Sequence, residues 1–255
     1  IPGLRQNRIN VIFEDADSTT WIGTDKGLFK ISPDGAWQLI TKKNSLASDI
    51  ITTIFQDREK NIWFGTFLGL SKLVTKTNIH VYSTENGLGS NRVTNIIDPP
   101  FNSFVPNSYP LLVIGANKMA TFDSTTLQFE NTIPFPDPFP FAPTCIISDK
   151  QGNIFFNDEH HLYFIAAKKE RTVKIIENLF TELLIDKKGY LWAATLQNGL
   201  YRLQYIFANN KLEIIDSVHF LPGENIRSLF EDSRGNIWVG TRYHGVYRFS
   251  KNITT

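Results

Sequence analysis

The sequence predicts an all-β protein, a β-propeller of four-stranded antiparallel blades. Three observations predict it: a motif that recurs six times in 255 residues, apolar runs of only four to six residues bounded by turn residues, and the lack of sustained helical periodicity. The motif is WIGTDKGLFKIS from Trp21, WFGTFLGLSKL from Trp63, WAATLQNGLYRL from Trp192 and WVGTRYHGVYRFS from Trp238. Two weaker copies begin at Val113 and Phe155, so the anchors stand 42, 50, 42, 37 and 46 residues apart and the copies fill the chain.

Each anchor follows an apolar run and a turn, as in TCIISDKQGN, TELLIDKKGY and IRSLFEDSRGN. In these three, Asp and Gly stand three apart (Asp149 and Gly152, Asp186 and Gly189, Asp232 and Gly235). Asp opening the turn and Gly in the left-handed region make a type I turn with a bulge, a hairpin connection. A second Gly-containing link (Thr24 to Gly27, Thr66 to Gly69) leads to a third strand. A fourth apolar run follows, as in AWQLIT from Ala36 and IHVYST from Ile79. The expected repeats are 5–44, 45–88, 89–140, 141–178, 179–222 and 223–255, in one domain. The last lacks an outer strand after Ser250, which predicts a piece of a larger propeller, seven-bladed in the parent.

A helical repeat would need apolar residues at i, i+3, i+4 and i+7 over about ten residues; only Ala166 to Arg171 could make a brief helical turn. A two-sheet sandwich gives no reason for six copies of one motif. Inner strands packed on both faces explain apolar pairs such as Ile12 with Phe13 and Leu229 with Phe230. Trp21, Trp63, Trp192 and Trp238, each opening a second strand, are expected to pack between blades.

Composition narrows the function. Lys and Arg number 26 against 25 Asp and Glu, a net charge of +1, which gives no polyanion-binding field and argues against nucleic acid. A single cysteine, Cys145, excludes an intrachain disulfide and a cysteine zinc site. No apolar run reaches the length of a membrane span, so no membrane insertion is expected. Catalytic signatures such as G-x-S-x-G, a P-loop or H-E-x-x-H are absent, so neither catalytic residues nor a cofactor or metal is predicted. Asp158-Glu159-His160-His161 is the densest polar cluster, but adjacent histidines on an extended segment point to opposite sides. Asp15 and Asp17 read as a turn.

The pattern of an apolar strand, D-x-x-G-N-I-W-x-G-T, then G-L-x-R resembles the two-component regulator propeller repeat. Residues 226–249, 50–73 and 9–31 carry it best. Residues 180–203 follow, with Ala193 and Ala194 where other copies have an Ile-Gly or Val-Gly pair. The remaining copies depart from it: Pro99 and Pro100 replace a hairpin turn, and Asn157-Asp158 replaces Gly-Thr. The resemblance implies the extracytoplasmic, periplasmic sensory region of a membrane-bound regulator, notably a hybrid histidine kinase, many of which respond to saccharides. It transfers architecture and context and no binding or catalytic residue.

In a propeller the connections from second to third strand, and from outer strand to the next inner strand, share a face, and loops on a rigid scaffold carry function. The candidate ligand-binding residues there are Lys26, Phe67, Arg92, His160, Gln197, Arg227, Arg242, Tyr243 and His244. Arg-Tyr-His at 242–244 joins an aromatic platform to charged hydrogen bonding suited to a sugar or an anion. The expected function is a non-enzymatic sensor for a saccharide or other small ligand, partnered by the rest of its receptor. The alternatives are a structural or protein-interaction propeller, as in a secretion apparatus, and an enzyme resembling streptogramin lyases. The last would need a His and carboxylate pair, from His244 or from His160 with Glu159. Nine of 12 prolines fall in 99–143; the insertion 99–110 and the run 133–143 are expected either to make a homodimer contact or to fold back over a blade.

Overall fold

The computed structural model describes residues 4, 7–74, 78–98, 111–115, 118–123, 126–134, 143–158, 160–166, 172–209 and 211–250. Arg5, Glu159, the insertion 99–110, most of the Phe-Pro run and most of 166–171 lie outside them. The described residues form 23 strands in six antiparallel sheets, the blades of a β-propeller. No helix is long and apolar enough to cross a membrane.

The first blade is β1 (Ile9–Glu14), β2 (Thr20–Thr24), β3 (Leu28–Ile31) and β4 (Trp37–Ile40). The second is β5 (Ile51–Gln56), β6 (Ile62–Thr66), β7 (Gly69–Leu73) and β8 (Ile79–Tyr82). The third is β9 (Val93–Ile97), β10 (Leu111–Gly115), β11 (Lys118–Asp123) and β12 (Gln128–Pro134). These three belong to one compact unit and the next three to a second. The fourth blade is β13 (Ile146–Ser148), β14 (Ile154–Asn157), β15 (His161–Ile165) and β16 (Thr172–Glu177). The fifth is β17 (Phe180–Ile185), β18 (Leu191–Thr195), β19 (Leu200–Ala208) and β20 (Lys211–Phe220). The sixth shows three strands among the described residues: β21 (Ile226–Glu231), β22 (Ile237–Thr241) and β23 (Val246–Phe249).

The turn signal in the sequence forms as the residue types dictate. Gly152, Gly189 and Gly235 have φ of 81, 89 and 80°, and their amides donate to the carbonyls of Asp149, Asp186 and Asp232. The aspartate side chain does more than open the turn. In Asp15, Asp186 and Asp232 one carboxylate oxygen accepts the amides two and four residues on. The other accepts the indole N–H six residues on: Trp21 at 2.8 Å, Trp192 at 2.9 Å and Trp238 at 3.0 Å, with Asp57 and Trp63 matching them at 2.7 Å. Across the ladder, Lys30, Lys72, Arg202 and Arg248 place their cations 4.8 to 5.9 Å from the centroids of the same rings. Aspartate, tryptophan and cation therefore lock the hairpin to the third strand in four blades.

In the fourth blade Phe155 takes the tryptophan position and offers no N–H. The Asp149 carboxylate instead accepts the hydroxyl of Tyr205, on β19 of the neighbouring blade, at 3.1 Å, while the Tyr205 ring packs on Phe155 at 4.8 Å. Lengthening β19 and β20 to nine and ten residues brings Tyr205 there.

Blades pack by the tryptophan-position residue meeting the following blade. Trp21 lies 5.2 Å from Phe64, and Trp63 lies 4.9 Å from Phe122; Trp192 shares a core with Ile226, Ile237 and Val239. A Cβ on Gly65 would stand 2.8 Å from Val93 of the next blade, which explains glycine in the G-T pair. Short polar side chains complete the junctions: Asn10, Thr52 and Thr181 donate to the carbonyls of Ile51, Val93 and Ile226 in the following blade. Trp238 departs from the expectation of interblade packing. It keeps 38% of its surface exposed.

Candidate functional site

The site is built on the second unit from three connections. The turn between β22 and β23 carries Arg242, Tyr243 and His244. Thr241 closes it, its hydroxyl donating to the Gly245 carbonyl at 2.9 Å and accepting the His244 amide at 3.0 Å. Thr195 closes the turn between β18 and β19 in the same way, through the Gly199 carbonyl. The loop from β20 to β21 links the two, since the Gly199 amide donates to the Glu224 carbonyl and the Arg242 amide to the Asn225 carbonyl at 2.8 Å. Side chains are thus displayed from short, doubly tied loops.

Between them lies a cavity of ≈ 530 Å³, lined by Gln197, Glu224, Asn225, Arg227, Arg242, Tyr243 and His244, among others. That is within the range of about 300–1,000 Å³ usual for small-ligand sites. His244 Nδ1 stands 2.9 Å from the Glu224 carboxylate. The Arg242 guanidinium lies 5.2 Å from the centroid of Tyr243, whose ring is 70% exposed. Among the described residues neither Arg227 nor Arg242 forms an ion pair, so the wall carries two guanidiniums and one carboxylate, that of Glu224. The amide oxygen of Asn225 is buried and lacks a donor. A buried acceptor left so costs about 1–3 kcal/mol.

Five of the residues singled out in the sequence, Gln197, Arg227, Arg242, Tyr243 and His244, come together here. Others do not. In the first unit Arg92 places its guanidinium 5.4 Å from the Phe67 centroid, and Lys26 stands in an exposed turn after Thr24. His160 is tied through its amide to the Asp158 carboxylate, which also accepts the His161 amide and, at 2.7 Å, the Tyr163 hydroxyl. These donors, opposed by burial, hold Asp158 below its ordinary pKa, while burial and the hydrogen bond to Asp158 push Tyr163 up to about 12. That cluster is a satisfied loop scaffold. Sequence reasoning missed Glu224 and Asn225, although they sit in the outer-to-inner connection that had already supplied Arg92 and Arg227.

Arg227 stands where the inner strands of other blades carry the short Asn10, Thr52 and Thr181 clasps, and it lines the cavity instead. A second cavity of ≈ 390 Å³ lies by the hairpin turns of the fourth and fifth blades, walled by Lys150, Lys187 and Tyr205. Its lysines are engaged: Lys187 Nζ donates to the carbonyls of Asp232 and Ser233, and Lys150 Nζ to that of Lys187.

The described residues define a propeller with a cavity on its strand connections. Three segments, 3–26, 45–67 and 221–243, match the family described as two component regulator propeller. No curated protein matches the chain. Among solved structures, the extracellular domain assigned to the hybrid two component system BT3049 of B. thetaiotaomicron superposes with a TM-score of 0.75 at 19% identity, over 95% of this chain and 33% of that one. The chain thus spans about a third of that domain's length. A catalytically inactive virginiamycin B lyase from Staphylococcus aureus, with Quinupristin, gives a TM-score of 0.70 at 11% identity, over 99% of this chain and 87% of that one. PorZ, a surface component of the type-IX secretion system of Porphyromonas gingivalis, gives 0.64 at 16% identity, over 94% and 38%. At these identities the likenesses establish the propeller fold.

Proposed function

We propose that this chain is part of the extracytoplasmic sensory region of a two-component signalling receptor, periplasmic in location, and that it binds a saccharide or similar small polar ligand without catalysis. The observation that carries the reading is the cavity: an exposed aromatic ring and two guanidiniums without an ion-pair partner among the described residues converge on loops fixed by backbone hydrogen bonds. The regulator repeats at both ends of the described chain and the likeness to an extracellular domain support the context. In the receptor, binding would shift an equilibrium between signalling states by its differential affinity for them, with a histidine kinase as output.

Calorimetry against a panel of neutral and acidic oligosaccharides tests this. Saturable binding is expected, and it should vanish in the Arg242→Ala, Tyr243→Ala double variant while the melting curve is unchanged; undiminished affinity in that variant would contradict the site.

One observation favours a second reading. His244 paired with Glu224 at 2.9 Å is an arrangement that can serve as a general base, and virginiamycin B lyase is among the similar structures. Turnover of Quinupristin by the chain, lost on His244→Ala and followed by mass spectrometry, would establish that reading in place of the sensor.

A further inference from the structure

The charge and hydrogen-bonding inventory of the cavity specifies its ligand more narrowly than size does. Its acidic side chain, Glu224, lies 2.9 Å from His244, whereas Arg227 and Arg242 form no ion pair with a carboxylate among the described residues. A neutral ligand would leave both guanidiniums without an anionic partner. A carboxylate matches the planar fork of a guanidinium through two parallel N–H···O bonds, which an ammonium or an amide cannot reproduce. The remaining walls ask for a different chemistry. Gln197 adds a side chain able both to donate and to accept. Tyr243, 70% exposed, presents a ring face on which the C–H face of a pyranose can lie, with the Arg242 cation on the same ring.

We propose that the cavity recognises an acidic saccharide, a sugar ring bearing a carboxylate, with the anion held by Arg227 and Arg242 and the ring placed on Tyr243. The proposal rests on the ligand-binding reading above and narrows it to a charge class. Arg227 supports it independently of Arg242: the inner-strand position it occupies carries a short interblade clasp in three other blades, and the arginine is committed to the cavity instead.

D-Glucuronate and D-glucose are the probes, titrated into the chain and followed by calorimetry or by chemical-shift changes. Glucuronate is expected to saturate at least tenfold more tightly than glucose. Arg242→Gln and Arg227→Gln should each weaken glucuronate by tenfold or more and narrow its advantage over glucose, with the melting temperature unchanged. Raising the ionic strength from about 0.05 to 0.5 M should also weaken glucuronate and not glucose. Equal affinities for the two sugars, glucuronate binding indifferent to both glutamine variants, or no saturable binding of glucuronate would overturn the proposal. Binding of neutral oligosaccharides that is lost in the Arg242→Ala, Tyr243→Ala variant would still uphold the sensor reading, so the two fail separately.

Discussion

Glu182 departs from its siblings in the other blades by placing a carboxyl in a partly buried register. It sits on β17 opposite Ala194, in the register where Thr53 faces Gly65 and Ser228 faces Gly240. Burial pushes its carboxyl up to about 7 from an ordinary 4.5, and burial followed by the Glu182 charge also pushes the nearby Cys145 thiol up. A carboxyl whose folded pKa lies above its unfolded one stabilises the fold most at low pH and loses that contribution as pH rises from about 4.5 through 7. Glu182→Gln should therefore match the wild type near pH 4.5 and exceed it at pH 8, by at most about 3 kcal/mol. Urea unfolding at the two pH values measures this; a variant less stable at pH 8 would show that the carboxylate has a charged partner there. Asp232 is the opposite case. The Asn236 side chain and the Trp238 indole, both donating to it, hold its carboxyl well below the usual carboxylate range.

At the scale of the blade, stability follows from what covers the tryptophan. Trp63 is fully buried against the third blade, so Trp63→Ala is expected to cost about 3–5 kcal/mol. Trp238 makes the same bonds to Asp232 and contact to Arg248, but 38% of it is exposed, and Trp238→Ala should cost about 1–2 kcal/mol. Thermal unfolding of the two variants compares them, and equal losses would mean that Trp238 is covered in solution. The strands, the Asp-to-Gly turns and the tryptophan packing of three blades were legible because each rests on residues close in sequence with fixed conformational preferences. The indole-to-aspartate bond was present as a constant spacing of six, in Asp57 with Trp63 for example, yet spacing alone does not say which groups meet. The exchange of donors at Asp149, where Tyr205 stands in for the indole missing at Phe155, was not legible, since the two residues are 56 apart and meet only through packing. The site was half legible for the same reason. The turn at 242–244 announced itself by residue type, whereas Glu224 and Asn225 acquire meaning only when a backbone bond ties their loop to that turn.

For the whole molecule, the propeller fold fixes the architecture, and the proposed sensing role depends on one cavity in the second unit. Local hydrogen exchange reports that dependence directly, because a ligand that bridges tied loops suppresses their opening. Exchange followed by mass spectrometry, with and without saturating D-glucuronate, should show slowing confined to residues 196–199, 223–227 and 241–245, with the hairpin turns around Lys150 and Lys187 unchanged. Slowing at those lysine turns instead, or no change at 223–227 and 241–245 under saturating ligand, would contradict the assignment of this cavity as the site where the protein senses its ligand.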